Sequence, residues 1–328
     1  MSSNLVTIIL PVYNCRDSIS DCIKSILNQD YKKTEIIIVD DGSTDDTLQV
    51  INAFSENYNN IHIFHTENHG VSHARNFALE KASGDYYLFM DSDDQLAEEA
   101  ISKLVDAAVT SGADLVTGKY ATYYDNNKTL KEVVVPAKYC NRMITEKEFW
   151  EIVNLPGIYI GSVVWSKLYK AKVWENVKFN DSAVINGDEY VLDKYVANCN
   201  SFYFLDYAFY IQYIHRKSEG ISGKPFRFQN LIGAEARVNR MDYLLSKELY
   251  EAAFSTFSFG ARILLNADKN LKDKKSKEEI TRLYKAFKRL IPRLYAHVNF
   301  KDRLRLLLFC LNLKIYGYIK NKIAKSHK

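Results

Sequence analysis

Short apolar runs alternate with helical patterns through the first ninety residues, and this alternation restricts the fold more than any other feature. Val6 to Leu10, Glu35 to Val39, Ile61 to Phe64 and Tyr86 to Met90 are rich in β-branched, Leu or aromatic residues. Runs this short, without polar alternation, predict strands buried in a parallel sheet. The segments between them have helical spacing. Ile19, Ile23, Ile26 and Leu27 share one face, and Val50, Ile51 and Phe54 follow the same rule. A third helix is expected through HARNFALEK, with Arg75 and Asn76 in its first turns and Gly84 closing it. The expectation is an α/β fold: an open, Rossmann-like, mostly parallel sheet flanked by helices. Such sheets bind ligands beyond the carboxyl ends of their strands.

Polar residues gather at those ends. Pro11 is expected to stop the pairing of the first strand and leave Val12, Tyr13 and Asn14 in a loop. The second strand closes in DDGSTDD, with Asp40 and Asp41 at the edge, Gly42 for the turn, and Ser43, Thr44 and Asp45 as helix caps. The fourth, YYLFMDSDD, ends in Asp91, Ser92, Asp93 and Asp94. Burying carboxylates there is costly unless they are neutralised. Mg²⁺ or Mn²⁺, sharing oxygen ligands with a substrate diphosphate, would neutralise them. An acidic helix-capping turn is the competing reading. Neither GxGxxG nor GxxxxGK[ST] is present, which disfavours a Rossmann dinucleotide site and a P-loop.

With 47% apolar and 26% charged residues, the 328-residue chain is expected to be globular. A net charge of only +4 argues against nucleic acid as a partner. The five cysteines are scattered without zinc spacing and read as reduced thiols of a cytosolic protein. No signal peptide and no membrane span are expected.

PVYN, VDDGSTD, GVSHARN and the DSD of FMDSDD, in this order and spacing, resemble the family 2 inverting glycosyltransferases of GT-A fold. The resemblance is specific over the first hundred residues, looser to about residue 225, and gone beyond. It implies that Pro11, Val12, Tyr13, Asn14 and Asp41 hold the nucleotide base, with Asp41 accepting the imide N–H of uracil from a UDP-sugar. It implies that Arg75 approaches the nucleotide or diphosphate, that Asp91 lies near the ribose and metal with Ser92 also at the nucleotide, and that Asp93 binds the metal directly. The family's catalytic base lies in an acidic stretch that matches NGDEYVLDKYV. Asp188 aligns with the base and Glu189 with the next acid. Gly187 stands where the family often has Glu, so the register stays open by one residue. Trp165 and Lys167 match the segment shaping the sugar and acceptor pocket. His215 would complete the metal shell, and Arg216, Lys217 and Ser222 would meet the diphosphate from a loop closing over it.

From about residue 226 helical periodicity takes over. The stretch 266–279 reads as a charged turn between helices. The end of the chain, from Phe300, reads either as a basic amphipathic helix on an anionic membrane or as a helix docked on its own domain or a second subunit. The expected domains are 1–225, catalytic, and 226–328, helical. The expected activity is transfer of a sugar to a glycan or lipid-linked glycan at the cytoplasmic side, with no nucleic-acid partner, and with peripheral membrane contact and homo-oligomerisation both open. A nucleotidyltransferase and a non-catalytic sugar-binding subunit are the alternatives, and Gly187 is the one residue favouring the latter.

Overall fold

The computed structural model describes residues 4–181, 187–214 and 225–325. The chain forms two compact units, Met1–Glu219 and Gly220–Lys328.

In the first unit, β1 (Val6–Val12), α1 (Ile19–Leu27), β2 (Thr34–Asp40), α2 (Thr47–Ser55), β3 (Ile61–His65), α3 (Val71–Lys81) and β4 (Tyr86–Phe89) alternate as expected. There follow β5 (Gln95–Leu96), α4 (Ala100–Ser111), β6 (Leu115–Tyr124), β7 (Thr129–Glu132), β8 (Arg142–Ile144), α5 (Glu146–Val153), β9 (Lys167–Lys170), α6 (Gly187–Ala197) and β10 (Phe202–Ile214). The main path of the sheet runs β3-β2-β1-β4-β9-β6-β10-β5, with β7 beside β6 and β8 beside β10. Pairing is parallel from β3 to β4 and again between β6 and β10. It is antiparallel on both sides of β9. The apolar runs of β1, β2 and β4 are largely buried, with Ile8, Ile9, Ile36, Ile38, Leu88 and Phe89 fully enclosed; β3, expected as a buried strand, ends the strand order, and of its run only Ile61 is buried.

Two local expectations are corrected. Pro11 does not end β1, which stays paired with β2 through Val12 and Asp40. Alternate residues of β1 face alternate neighbours: the Val12 carbonyl accepts from Asp41 N–H on the β2 side, and that of Ile9 from Met90 N–H on the β4 side. The missing donor of Pro11 therefore faces β4, beyond its last pair with β1, Ile9–Phe89, and costs the ladder little. Gly84 does not cap α3, which ends at Ala82 in extended backbone. It is needed for close passage, because a Cβ there would lie 2.5 Å from Thr7 Oγ1 and 2.8 Å from its backbone nitrogen.

The second unit holds α7 (Ile232–Ser246), α8 (Tyr250–Asn270), α9 (Lys274–Tyr295), α10 (Phe300–Leu311) and α11 (Leu313–Lys325). Phe257 on α8, Phe287 on α9 and Phe309 on α10 meet in an edge-to-face cluster. The charged stretch 266–279 is mostly helix; its break spans only 271–273, where the Asp273 side chain accepts from Ser276 N–H and starts α9. The last segment is two helices and not one. Asn312 leaves helical geometry and its side-chain oxygen caps α11 by accepting from Lys314 and Ile315 N–H. Among the described residues no helix is long and apolar enough to cross a membrane.

Candidate active site

The loops after β1 and β2 are tied together beyond the sheet edge. Asn14 adopts φ 46°. Its Oδ1 accepts from Thr44 N–H at 2.8 Å, while its own N–H donates to Ser43 Oγ at 3.0 Å. Tyr13, between Val12 and this staple, leaves 47% of its surface exposed. Asp40 is structural: buried, it takes the Ser43 hydroxyl on one oxygen and pairs with His65 Nδ1 at 2.6 Å on the other. Asp41 accepts backbone N–H groups from His69 and Gly70 at 2.9 and 2.8 Å, one on each oxygen. A carboxylate has further lone pairs, so a base imide would add a bond to a group already fixed in place. Gly42, at φ 72°, lets this turn press on Asn68, whose backbone nitrogen would be 2.8 Å from a Cβ.

Next to these loops, α3 brings two side chains inward. Arg75 is buried and forked between distant acids: Nη2 donates to Asp91 Oδ1 at 2.8 Å and Nη1 to Asp188 Oδ1 at 2.6 Å. The other oxygen of Asp188 accepts Val164 N–H at 3.0 Å. Burial alone would lower the guanidinium pKa, but Asp188 and then Asp91 outweigh it and the net direction is upward. Burial raises the Asp91 carboxyl to about 6, against the pull of Arg75. Asp91 and Asp188 still expose 33% and 21% of their side chains, against 5% for Arg75. A ligand would therefore meet the carboxylates, with the cation behind them. Arg75 was expected to approach a diphosphate itself; here its donors along this fork are engaged by protein.

Asn76 clasps the segment leading toward α6. It donates to Phe179 O at 3.0 Å and Asp181 Oδ1 at 2.7 Å, and accepts Phe179 N–H at 2.8 Å. Asn76→Ala leaves two buried backbone groups without this partner. It is expected to cost about 2–4 kcal/mol, read from the urea midpoint.

Trp165 and Lys167 differ from expectation, because neither lines an open pocket. Trp165 is buried, stacked on Tyr210 at 4.5 Å and edge-on to Tyr120. Lys167 is fully enclosed, its Nζ bonded to the carbonyls of Ile160 and Val163. These bonds hold the stretch that presents Val164 N–H to Asp188. Burial pushes the amine down to about 7, against a weaker upward pull from Asp188. A neutral amine keeps two N–H donors, enough for both carbonyls. The unfolded chain then binds more protons between pH 7 and the ordinary lysine range, so stability rises with pH across that window. Lys167→Met is expected to flatten this rise, read from denaturation midpoints across pH, and to be most destabilising relative to wild type at high pH, where the amine is neutral in both states and only the bonds to the two carbonyls are lost.

The acidic turn after β4 also divides its labour. Asp93 is exposed. Asp94 is buried, accepting the Tyr210 hydroxyl at 2.6 Å and Tyr213 N–H at 2.8 Å. Burial, then Asp91 and Asp93, push its carboxyl well above the usual range. The Tyr210 oxygen also accepts Asp91 N–H at 3.2 Å. Asn76, Val164 and Tyr210 were not among the expected site residues, and Asp94, expected with its neighbours to be neutralised by a cation, is instead bonded to Tyr210 and Tyr213. Asp94 was visible in the acidic run, whereas Tyr210 is one aromatic in an aromatic strand and carries no signal. Glu189 follows Asp188 on the first turn of α6. Gly187 is explained by packing, since a Cβ there would stand 2.7 Å from Ser72 Oγ on α3. His215, Arg216, Lys217 and Ser222 lie outside the described residues. Among the described residues no group of three or more His, Cys, Asp or Glu is placed to hold a metal ion.

Residues 7–161 match the sequence model described as Glycosyl transferase family 2. Glycosyltransferase GlyA of Streptococcus pneumoniae is 30% identical over 217 residues, covering 65% of this chain and 31% of that protein. The poly(ribitol-phosphate) beta-glucosyltransferase of Bacillus spizizenii is 40% identical over 118 residues, covering 35% of this chain and 19% of that protein. The chain thus spans less than two thirds of either relative. Among solved structures, S. aureus TarS 1-349 in complex with UDP-GlcNAc superposes with TM-score 0.78 at 20% identity, over 98% of this chain and 92% of that one. The fold is the expected GT-A arrangement, a mixed sheet flanked by helices with a helical C-terminal region.

Proposed function

We propose, from the match of residues 7–161 to the glycosyl transferase family 2 model, that the protein moves a sugar from a UDP-sugar to a hydroxyl of a cell-surface glycan precursor, with inversion. The observation that carries this reading is the Arg75 fork, which joins the acidic turn after β4 to the first turn of α6 across 97 residues of sequence. Direct displacement needs a nucleotide held on one side of the anomeric carbon and a base on the other. Asp188 is the base in this reading, oriented by Arg75 and Val164 N–H. Tyr13 and Asp41 hold uracil. UDP as the leaving group is favoured by the likeness to TarS, solved with UDP-GlcNAc.

Asp93 and Asp91 offer hard oxygen donors of the kind Mn²⁺ or Mg²⁺ accepts, with the diphosphate supplying further oxygens. When bound, the cation would stabilise negative charge on the departing UDP. The acceptor belongs with anionic wall polymers such as the poly(ribitol phosphate) of the Bacillus relative's name. A lipid-linked acceptor would set the enzyme at the inner face of the cell membrane.

The test is UDP release from a panel of UDP-sugars with Mn²⁺ and candidate acceptors. EDTA and Asp93→Ala are each expected to lower the rate at least about 100-fold. Unchanged release in both would remove the metal from the reading. UDP-sugar binding without turnover on any acceptor would favour a binding subunit instead.

A further inference from the structure

The whole-chain charge of +4 conceals a division. Residues 1–219 carry 20 Lys and Arg against 31 Asp and Glu, a net charge of −11. Residues 220–328 carry 24 against 9, a net charge of +15. The helical unit is thus strongly basic, a composition that suits anionic surfaces and polyanions.

The same unit exposes an ordered apolar stripe. Phe300, Leu304, Leu307 and Leu311 are 82%, 50%, 46% and 75% exposed. Their 4-3-4 spacing gathers them within about 60° of arc on α10. On α11, beyond the break at Asn312, Ile315 and Tyr318 are also exposed, at 50% and 70%. This stripe is not the face that holds the helix in place: Leu306 and Phe309 are buried, and Phe309 packs on Phe257 and Phe287. Lys301, on the first turn of α10, and Lys314, on the first turn of α11, are exposed.

Three occupants fit part of this. A soluble polyanion uses the cations and ignores the stripe. A second copy covers the stripe but brings another +15 against the first. A bilayer with anionic headgroups uses both, taking the apolar side chains at the acyl boundary and the ammonium groups among the phosphates. We propose that α10 and α11 form a membrane-docking face for anionic lipid. This stands independently of the active-site reading.

The full chain would be sedimented with vesicles of phosphatidylcholine alone or of equal parts phosphatidylcholine and phosphatidylglycerol. Wild type is expected to partition about tenfold more into the anionic vesicles, less so at high salt. A variant carrying Phe300→Ser, Leu304→Ser, Leu307→Ser and Leu311→Ser is expected to lose that partitioning with an unchanged circular-dichroism melt. Should the melt change, Phe300→Ser alone, at the most exposed position, is read and is expected to weaken partitioning about threefold. UDP release in solution is expected to be unaffected by these changes, so failure of the active-site reading would leave the vesicle result intact. Absent or lipid-independent partitioning of wild type overturns the proposal. So does partitioning lost on Lys301→Glu with Lys314→Glu but kept by the serine variants, the signature of a polyanion site. Conversion of a dimer to monomer by the serine variants, with vesicle partitioning kept, would identify a second copy as the occupant and also overturn it.

Discussion

Asp188→Asn is expected to lower the turnover number for sugar transfer by about 10²–10⁴, with a small change in KM. The asparagine oxygen can still accept from Arg75 Nη1 at the position of Oδ1, 2.6 Å away in the wild type, but its NH2 then stands where Oδ2 accepted Val164 N–H, so the unfolding midpoint is read beside the rate to separate loss of the base from loss of this bond. Its amide, however, cannot take up a proton from an acceptor hydroxyl. Glu189→Gln, one residue on, is expected to change turnover less than tenfold, or about 1.4 kcal/mol of barrier. Side-by-side initial rates of UDP release decide the register between the two acids. Equal activity of Asp188→Asn and wild type would remove Asp188 from the role of base. A larger loss in Glu189→Gln would move the role to Glu189.

Arg75→Met carries the second large effect. The guanidinium lies behind two acids that share its charge, and it is 5% exposed. Removing one partner from a buried ionic cluster typically costs about 3–5 kcal/mol, because the remaining charges lose their compensation. Here two carboxylates, Asp91 and Asp188, would face each other with no cation between them. The expected result is a loss of that size in urea or thermal unfolding, with turnover reduced at least as far as in Asp188→Asn. Arg75→Lys should recover part of the stability but less of the activity, since one ammonium cannot reproduce the fork. A variant as stable as wild type would show that the fork contributes nothing net to folding.

The first four strands were legible because each is a short apolar run bounded by turn residues; burial in a parallel sheet demands that pattern in β1, β2 and β4, whereas β3 carries it at the half-exposed sheet edge. The acids at their ends were legible for the converse reason, since charge after a buried run stands out. Their separate jobs were not. Asp40 and Asp41 are adjacent and chemically identical, yet one anchors Ser43 and His65 while the other anchors the loop entering α3. Lys167 reads as a surface or pocket cation until the carbonyls of Ile160 and Val163 are seen around it. Trp165 likewise became a packing residue only when Tyr210, 45 positions later, was found stacked on it.

Local pattern by itself determined the strand and helix order of the first ninety residues, the edge at which the site forms, and the helical character of the second unit. Periodicity and turn chemistry act within a few residues, so they are written where they operate. Tertiary structure alone decided that Arg75 unites Asp91 with Asp188, that Asn76 secures the approach to α6, and that the basic charge is confined to a unit with an uncovered apolar stripe. Each of these depends on which surfaces remain after distant segments have packed, and a linear order of residues does not state that.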